Sequence, residues 1–245
     1  MTQKDALVDL LIHDLTGPLS IVLVSVNNLL NKEEKYGPYN EYQKDTLKRA
    51  QRNAEKAKAL LLEIIEVYRS EEGLFRKDEF MVAEILKEAL IDAVEIITPD
   101  VGDEINRCGD DDSYCAILAK NGISVEITGA YSTSFFSHDR KKIRQILRNL
   151  ISNALKYRKN RMKLAISGDV DLVISVEDDG EGISRDKQDY IFKRFFNLDK
   201  KGGPEGLGFG LSCVKSLVEK MRGEISLKSS EGTGSCFTVR IPPLC

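Results

Sequence analysis

Residues 140–157 read Arg-Lys-Lys-Ile-Arg-Gln-Ile-Leu-Arg-Asn-Leu-Ile-Ser-Asn-Ala-Leu-Lys-Tyr. Wound as a helix, Ile146, Leu147, Leu150, Ile151 and Ala154 form one apolar stripe. Asn149 and Asn153 are four apart and Lys156 is three further, so all three share the other face. The apolar stripe already supplies a buried side. Two amides and an ammonium on the free side suit a Mg²⁺–triphosphate, because Mg²⁺ keeps several waters and takes few protein ligands. A solvated helix face is the plainer reading of the same residues.

Downstream, Lys163–Ser167 and Asp171–Glu177 read as a hairpin across Gly168-Asp169. The strand Leu172–Val176 runs into Asp178-Asp179-Gly180-Glu181-Gly182-Ile183. An acid at a strand end followed by two glycines lets backbone approach a ligand, and its carboxylate can accept from an exocyclic amine such as that of adenine. A tight turn explains the same residues. Gly206-Leu207-Gly208-Phe209-Gly210-Leu211 opens a helix over Leu211–Arg222. Glycine-exposed N–H groups at a helix start bind anions, although a flexible loop reads the same way. The spacing is neither that of a P-loop nor the dinucleotide fingerprint. Glu224–Lys228 and Ser235–Ile241 read as closing strands joined by a glycine turn. Upstream, residues 74–80 lead into a short strand and Val82–Ile97 is helical, with Ile85, Leu86, Leu90, Ala93, Val94 and Ile97 on one side. Thr98–Asp112, rich in Asp with Gly and Pro, reads as a surface loop. Ser124–Thr128 reads as a strand. Residues 74–245 therefore form an α/β sandwich.

Residues 1–73 differ in pattern. Residues 2–32 are helical, with Val8, Leu11, Leu15, Val22, Val26 and Leu29 in a stripe and Pro18 expected to bend the rod. Lys35–Asn40 reads as a turn. In the helix 41–71, Leu47, Ala50, Ala54, Ala57, Leu61, Ile64 and Tyr68 alternate spacings of three and four. Two long helices on a short loop make an antiparallel hairpin, which alone buries one face of each. Pairing two hairpins into a four-helix bundle buries the rest, so a homodimer is expected. The fold class is α+β: a helical hairpin, then the sandwich.

The composition narrows the function classes. The 245 residues carry a formal charge of −3, too acidic for a broad nucleic-acid face. No stretch approaches the roughly 20 apolar residues of a membrane helix, and the N-terminus lacks a signal-peptide pattern, so a cytoplasmic protein is expected. Five cysteines without CxxC and two histidines exclude a zinc finger and fit reduced thiols.

The order Asn149…Asn153-Ala-Leu-Lys156-Tyr157, Asp178-x-Gly180-x-Gly182, Phe192-x-x-Phe195-Phe196 and Gly206-x-Gly208-x-Gly210 resembles the N, G1, F and G2 boxes of bacterial sensor histidine kinases, whose ATP domain has the Bergerat fold. His13-Asp14-Leu15-Thr16-Gly17-Pro18-Leu19 resembles that family's H-box, so the likeness spans nearly the whole chain. The resemblance implies that His13 accepts the phosphoryl group and that Asp14 orients the imidazole and helps take its proton. It implies that Asn153 holds Mg²⁺ with Asn149 nearby, that Lys156 touches phosphate, and that Tyr157 and Phe195 line the nucleotide site. Asp178 would read the adenine amine, with Gly180 and Gly182 permitting close packing of the base. Residues 198–205 would form the ATP lid, with Gly206, Gly208 and Gly210 at its hinge and phosphate end. His138 is expected to be structural.

The implied activity is a homodimeric autokinase that moves the γ-phosphoryl of Mg-ATP to His13 and then to an Asp of a response-regulator receiver domain. The signal would come from a further part of a longer chain or from a separate sensor. A degenerate nucleotide-binding dimer that regulates by conformation is the alternative. Related gyrase-type ATPases carry a water-activating Glu where this chain has Asn149, and an amide is no general base. Two positions depart from the family. Gly17 replaces the Thr or Asn linked to regulator dephosphorylation, so weak phosphatase activity is expected. Asn197 stands where Arg often follows the F-box aromatics, leaving Arg194, Lys200 or Lys201 to supply that charge.

Overall fold

The computed structural model describes residues 3–70, 75–108, 111–192 and 210–244. The chain divides into two compact units, Met1–Glu72 and Gly73–Cys245.

In the first unit, α1 (Gln3–Asn31) and α3 (Glu41–Ser70) pack side by side, with a single turn, α2 (Glu33–Tyr36), between them. Pro18 lies inside α1, which continues through it. Val26 on α1 and Ala54 and Leu61 on α3 are buried, and Gln51 Nε2 donates to Asn27 Oδ1 at 2.7 Å between the two helices. Asn40 and Gln43 exchange backbone-to-side-chain hydrogen bonds of 2.8 and 3.0 Å, which start α3 by a reciprocal cap. Leu15 and Val22, from the expected apolar stripe, are exposed, as are Ile21 and Val24.

The second unit is a mixed sheet with helices on one face. The five-stranded sheet runs in the order β2 (Ile123–Ile127), β4 (Met162–Ser167), β5 (Leu172–Asp178), β7 (Gly234–Ile241), β6 (Glu224–Ser230). Only β2–β4 is parallel; the other pairs are antiparallel. β4 and β7 alternate between buried and more open residues, as strands with one covered face must. Leu164, Ile166, Ile174, Val176 and Val239 face the helices α7 (Arg140–Tyr157) and α9 (Gly210–Lys220), and α4 (Val82–Ile97) packs on α7. The stripe Ile146, Leu147, Leu150, Ile151 and Ala154 is buried, as is most of the α4 stripe. A second sheet pairs β1 (Asp78–Met81) with β3 (Phe135–His138).

One expectation is corrected. Thr98–Asp112 is not a loop: α5 spans Pro99–Arg107, and α6 (Asp111–Lys120) begins within the stretch. Proline at the first helical position is preorganised for a helix start, and Ile105 is buried. Gly102 lies flush on α4, where an added Cβ would meet Glu95 Cα at 3.0 Å. Asp100, Asp103 and Glu104 occupy the solvent side of α5, a short amphipathic helix. No described helix is long and apolar enough to cross a membrane.

Candidate nucleotide site

α7 is aimed by its N-terminus. Asp139 caps it, Oδ1 accepting from Lys142 N at 3.0 Å, while Oδ2 accepts from Arg76 N at 3.0 Å and ties the incoming chain to the same point. His138 beside it is 1% exposed; its Nδ1 accepts from Asp139 N, and its ring lies between Phe75 and Phe136. Burial holds the His138 pKa below the usual imidazole range against the pull of Asp139. A structural role fits that environment.

From this anchor the polar face of α7 presents Asn149 and Asn153 to the start of α9. A Cβ built on Gly210 would stand 3.4 Å from Asn149 Oδ1 and 4.0 Å from Asn153 Nδ2. Two amides and a helix N-terminus thus converge, a donor set suited to a cation and to phosphate oxygens. Among the described residues no cluster of three His, Cys, Asp or Glu side chains forms a metal site. The amide oxygens of Asn149 and Asn153 are of the type that could hold a Mg²⁺, a cation that takes few protein ligands. At the end of the helix, Lys156 Nζ lies 5.2 Å from the Tyr157 ring centroid.

Asp178 is the last residue of β5 rather than a residue beyond it, and it is 7% exposed. Oδ1 accepts from Gly180 N at 2.9 Å, and the carboxylate also accepts from the Ser235 amide on the paired strand. Burial raises its pKa, these two donors oppose the rise, and the charges of Asp179 and Glu177 add to it. A desolvated acceptor with open lone pairs can select a ligand amine over a carbonyl. The two glycines of the turn that follows leave no room for a side chain. A Cβ at Gly180 would fall 2.3 Å from Tyr157 O, and Gly182, at φ +72°, would put one 1.9 Å from Ser230 O. Ile183 N donates to Ser229 Oγ at 2.8 Å, Ser229 Oγ donates to Gly234 O at 2.7 Å and stands 3.1 Å from Ser235 Oγ, and Gln188 Nε2 donates to Ile183 O at 2.9 Å.

The structure thus gathers Asn149, Asn153 and Gly210, and separately Tyr157, Asp178, Gly180 and Gly182. Lys156 belongs to the same helix end. Phe195, Gly206, Gly208, the lid at 198–205 and the cations at 194, 200 and 201 lie outside the described residues, as do the side chains of His13 and Asp14, whose backbone is helical. Phe192 stands edge-on to Phe237, with Lys215 Nζ 5.5 Å from its centroid. Ser235 was not legible as a site residue: its signal is strand register, since it sits opposite Asp178, and register follows from pairing the strands. A cavity of about 400 Å³ beside Ile183, Gln188 and Ser229, and one of about 370 Å³ at Leu30, Tyr39 and Gln51, contain none of the expected nucleotide ligands. Convergent donors mark the site better than cavity volume does.

Residues 138–244 match the family described as histidine kinase-, DNA gyrase B-, and HSP90-like ATPases. The adaptive-response sensory kinase SasA of Crocosphaera subtropica is 27% identical over 98% of this chain and 59% of its own length. The circadian input-output histidine kinase CikA of Synechococcus elongatus is 29% identical over 94% of this chain and 29% of its own. The sensor-like histidine kinase SenX3 of Mycolicibacterium smegmatis reaches 42% over 38% of this chain and 26% of its own. The chain spans at most 59% of these relatives. In fold it resembles full-length ShkA, solved with AMPPNP, at a TM-score of 0.71 and 20% identity over 97% of this chain and 46% of that one. The histidine kinase AdeS of Acinetobacter baumannii gives a TM-score of 0.57 at 21% identity, over 95% of this chain and 98% of that one. The chain is homologous to bacterial sensor histidine kinases, and its residues 138–244 match the family of histidine kinase-, DNA gyrase B-, and HSP90-like ATPases.

Proposed function

We propose that this chain is a histidine autokinase that uses Mg-ATP to phosphorylate His13. The observation that carries the reading is the convergence of Asn149 and Asn153 on the α9 start at Gly210, with the buried acceptor Asp178 at the neighbouring strand end. Asp178 would accept from the adenine amine, and Asn153, with Asn149 nearby, would ligate the metal. Lys156 would meet phosphate, and the α9 N-terminus would face the triphosphate. Bound Mg²⁺ supplies charge neutralisation of the phosphate oxygens. The His13 imidazole attacks the γ-phosphorus, the bond to the β–γ bridging oxygen breaks, ADP leaves, and Asp14 helps take the imidazole proton. Asn149 in place of a general-base Glu favours transfer over hydrolysis, because an amide cannot activate water.

Exposed Leu15, Ile21, Val22 and Val24 on α1 support a homodimeric four-helix bundle. The phosphoryl would pass to an aspartate of a receiver domain, and the input signal to another segment or another protein. Incubation with γ-labelled ATP tests the reading: acid-labile, base-stable label that disappears in His13→Ala is expected. Steady phosphate release independent of His13, without labelled protein, would overturn it.

A further inference from the structure

Asp179, the x of Asp178-x-Gly180, has no role in the reading above, yet it makes a dense set of polar contacts near the site. Its Oδ1 accepts from the backbone amides of Lys159, Asn160 and Arg161, each at 2.9 Å, and Oδ2 adds Asn160 N at 3.3 Å. Asp179 N donates to Arg161 O at 3.2 Å, and Arg161 Nε lies 3.7 Å from Oδ2. Three consecutive amides pointing at one oxygen form an anion nest, and here the protein fills it with its own carboxylate. Residues 158–161 connect the end of α7 to β4. Arg158 N still donates to Ala154 O at 3.0 Å, and Arg158 Nη1 reaches Asn121 O at 2.9 Å. On the opposite side Gly180 touches Tyr157 O so closely that a methyl group would not fit.

We propose that Asp179 is a positioning residue whose carboxylate straps the 159–161 segment to the end of β5, fixing the spacing between the α7 amides and Asp178. This rests on the nucleotide reading above. The spacing matters because one rigid ligand must satisfy both ends at once, and errors well below 1 Å weaken such a site. Partial burial opposes ionisation of Asp179, but the amides of Arg161, Asn160 and Lys159 outweigh it and hold the pKa at about 2. The strap is therefore charged throughout the neutral range.

The test compares the full chain with Asp179→Ala and Asp179→Asn. Calorimetry reads the affinity for Mg-AMPPNP, labelling reads KM and the rate at saturating ATP, and hydrogen exchange reads the amides of 159–161. Asp179→Ala is expected to weaken AMPPNP binding and raise KM by about tenfold, to leave the saturating rate within about twofold, and to speed exchange at 159–161. Asp179→Asn keeps one accepting oxygen and is expected to recover part of the affinity. Asp179→Ala binding within about twofold of the parent, or Asp179→Asn no better than Asp179→Ala, would overturn the proposal. If Asp179→Ala does not fold, Asp179→Asn decides alone: weaker binding with faster exchange supports the strap, and parental values refute it. A parent chain that binds no AMPPNP sinks the nucleotide reading itself; a parent that binds while both variants match it sinks only the strap.

Discussion

Both units expose some apolar residues, but the sandwich encloses fully covered side chains, whereas the most buried of the hairpin's described apolar side chains, Val26, Ala54 and Leu61, keep 8–9% exposure. Ile143, Ile146, Leu164 and Ile174 are fully covered in the second unit. In the first, Ile21 is 68% and Val24 59% exposed, while burial along the helix contact falls on Val26, Ala54 and Leu61. A lone helix pair has too little covered apolar area to offset the entropy of ordering two long helices. The difference is that the second unit closes a core within a single chain, whereas the proposed homodimer would have to cover the exposed apolar residues of α1.

The largest effect that sharpens this contrast is a core deletion. Ile146→Ala should cost the second unit about 2–5 kcal/mol, read by urea unfolding of the full chain. A loss under about 1 kcal/mol would mean that the α7 stripe does not carry the sandwich. On the hairpin, Val22→Asp should leave the sandwich transition in place yet turn a dimer into a monomer by sedimentation, since it puts two charges into the expected bundle core. A variant that remains dimeric at the parent's concentration would place the interface elsewhere. Asp139→Ala should cost about 0.5–2 kcal/mol through the lost α7 cap. Unaltered unfolding would show that the Arg76 and Lys142 amides find water without penalty.

The smallest effect is in pH. His138 has its pKa lowered in the fold, so the unfolded chain binds more protons below the ordinary imidazole value of 6.5. Its contribution is complete above that pH and declines as pH falls through 6.5 toward the folded value. Thermal melts of the sandwich should therefore weaken between about pH 7 and 5, and His138→Gln should flatten that slope. An equal slope in the variant would assign the loss to other groups.

Legibility in the sequence follows the range of the forces involved. The α7 stripe, the hairpin at Gly168-Asp169 and the glycine turn after Asp178 are local patterns, and each stands where its periodicity or turn chemistry put it. α5 was hidden because acidic residues on one side of a short helix read like a solvated loop, although Pro99 is a helix-start signal. β3 was missed because four residues, Phe135–His138, are too short for alternation to show. Ser235 and Asp179 act through strand pairing and backbone contact, at separations that no local window covers. The proposed dimer rests on a different kind of observation, the exposed apolar residues Leu15, Ile21, Val22 and Val24 of α1.

The most direct test of the central claim is phosphorus NMR with peptide mapping of the full chain after incubation with Mg-ATP. The account predicts a phosphoramidate resonance on the His13 peptide that is absent from Asp178→Asn and Asn153→Ala. Phosphate found on another residue, or a His13 resonance undiminished in both variants, would contradict it.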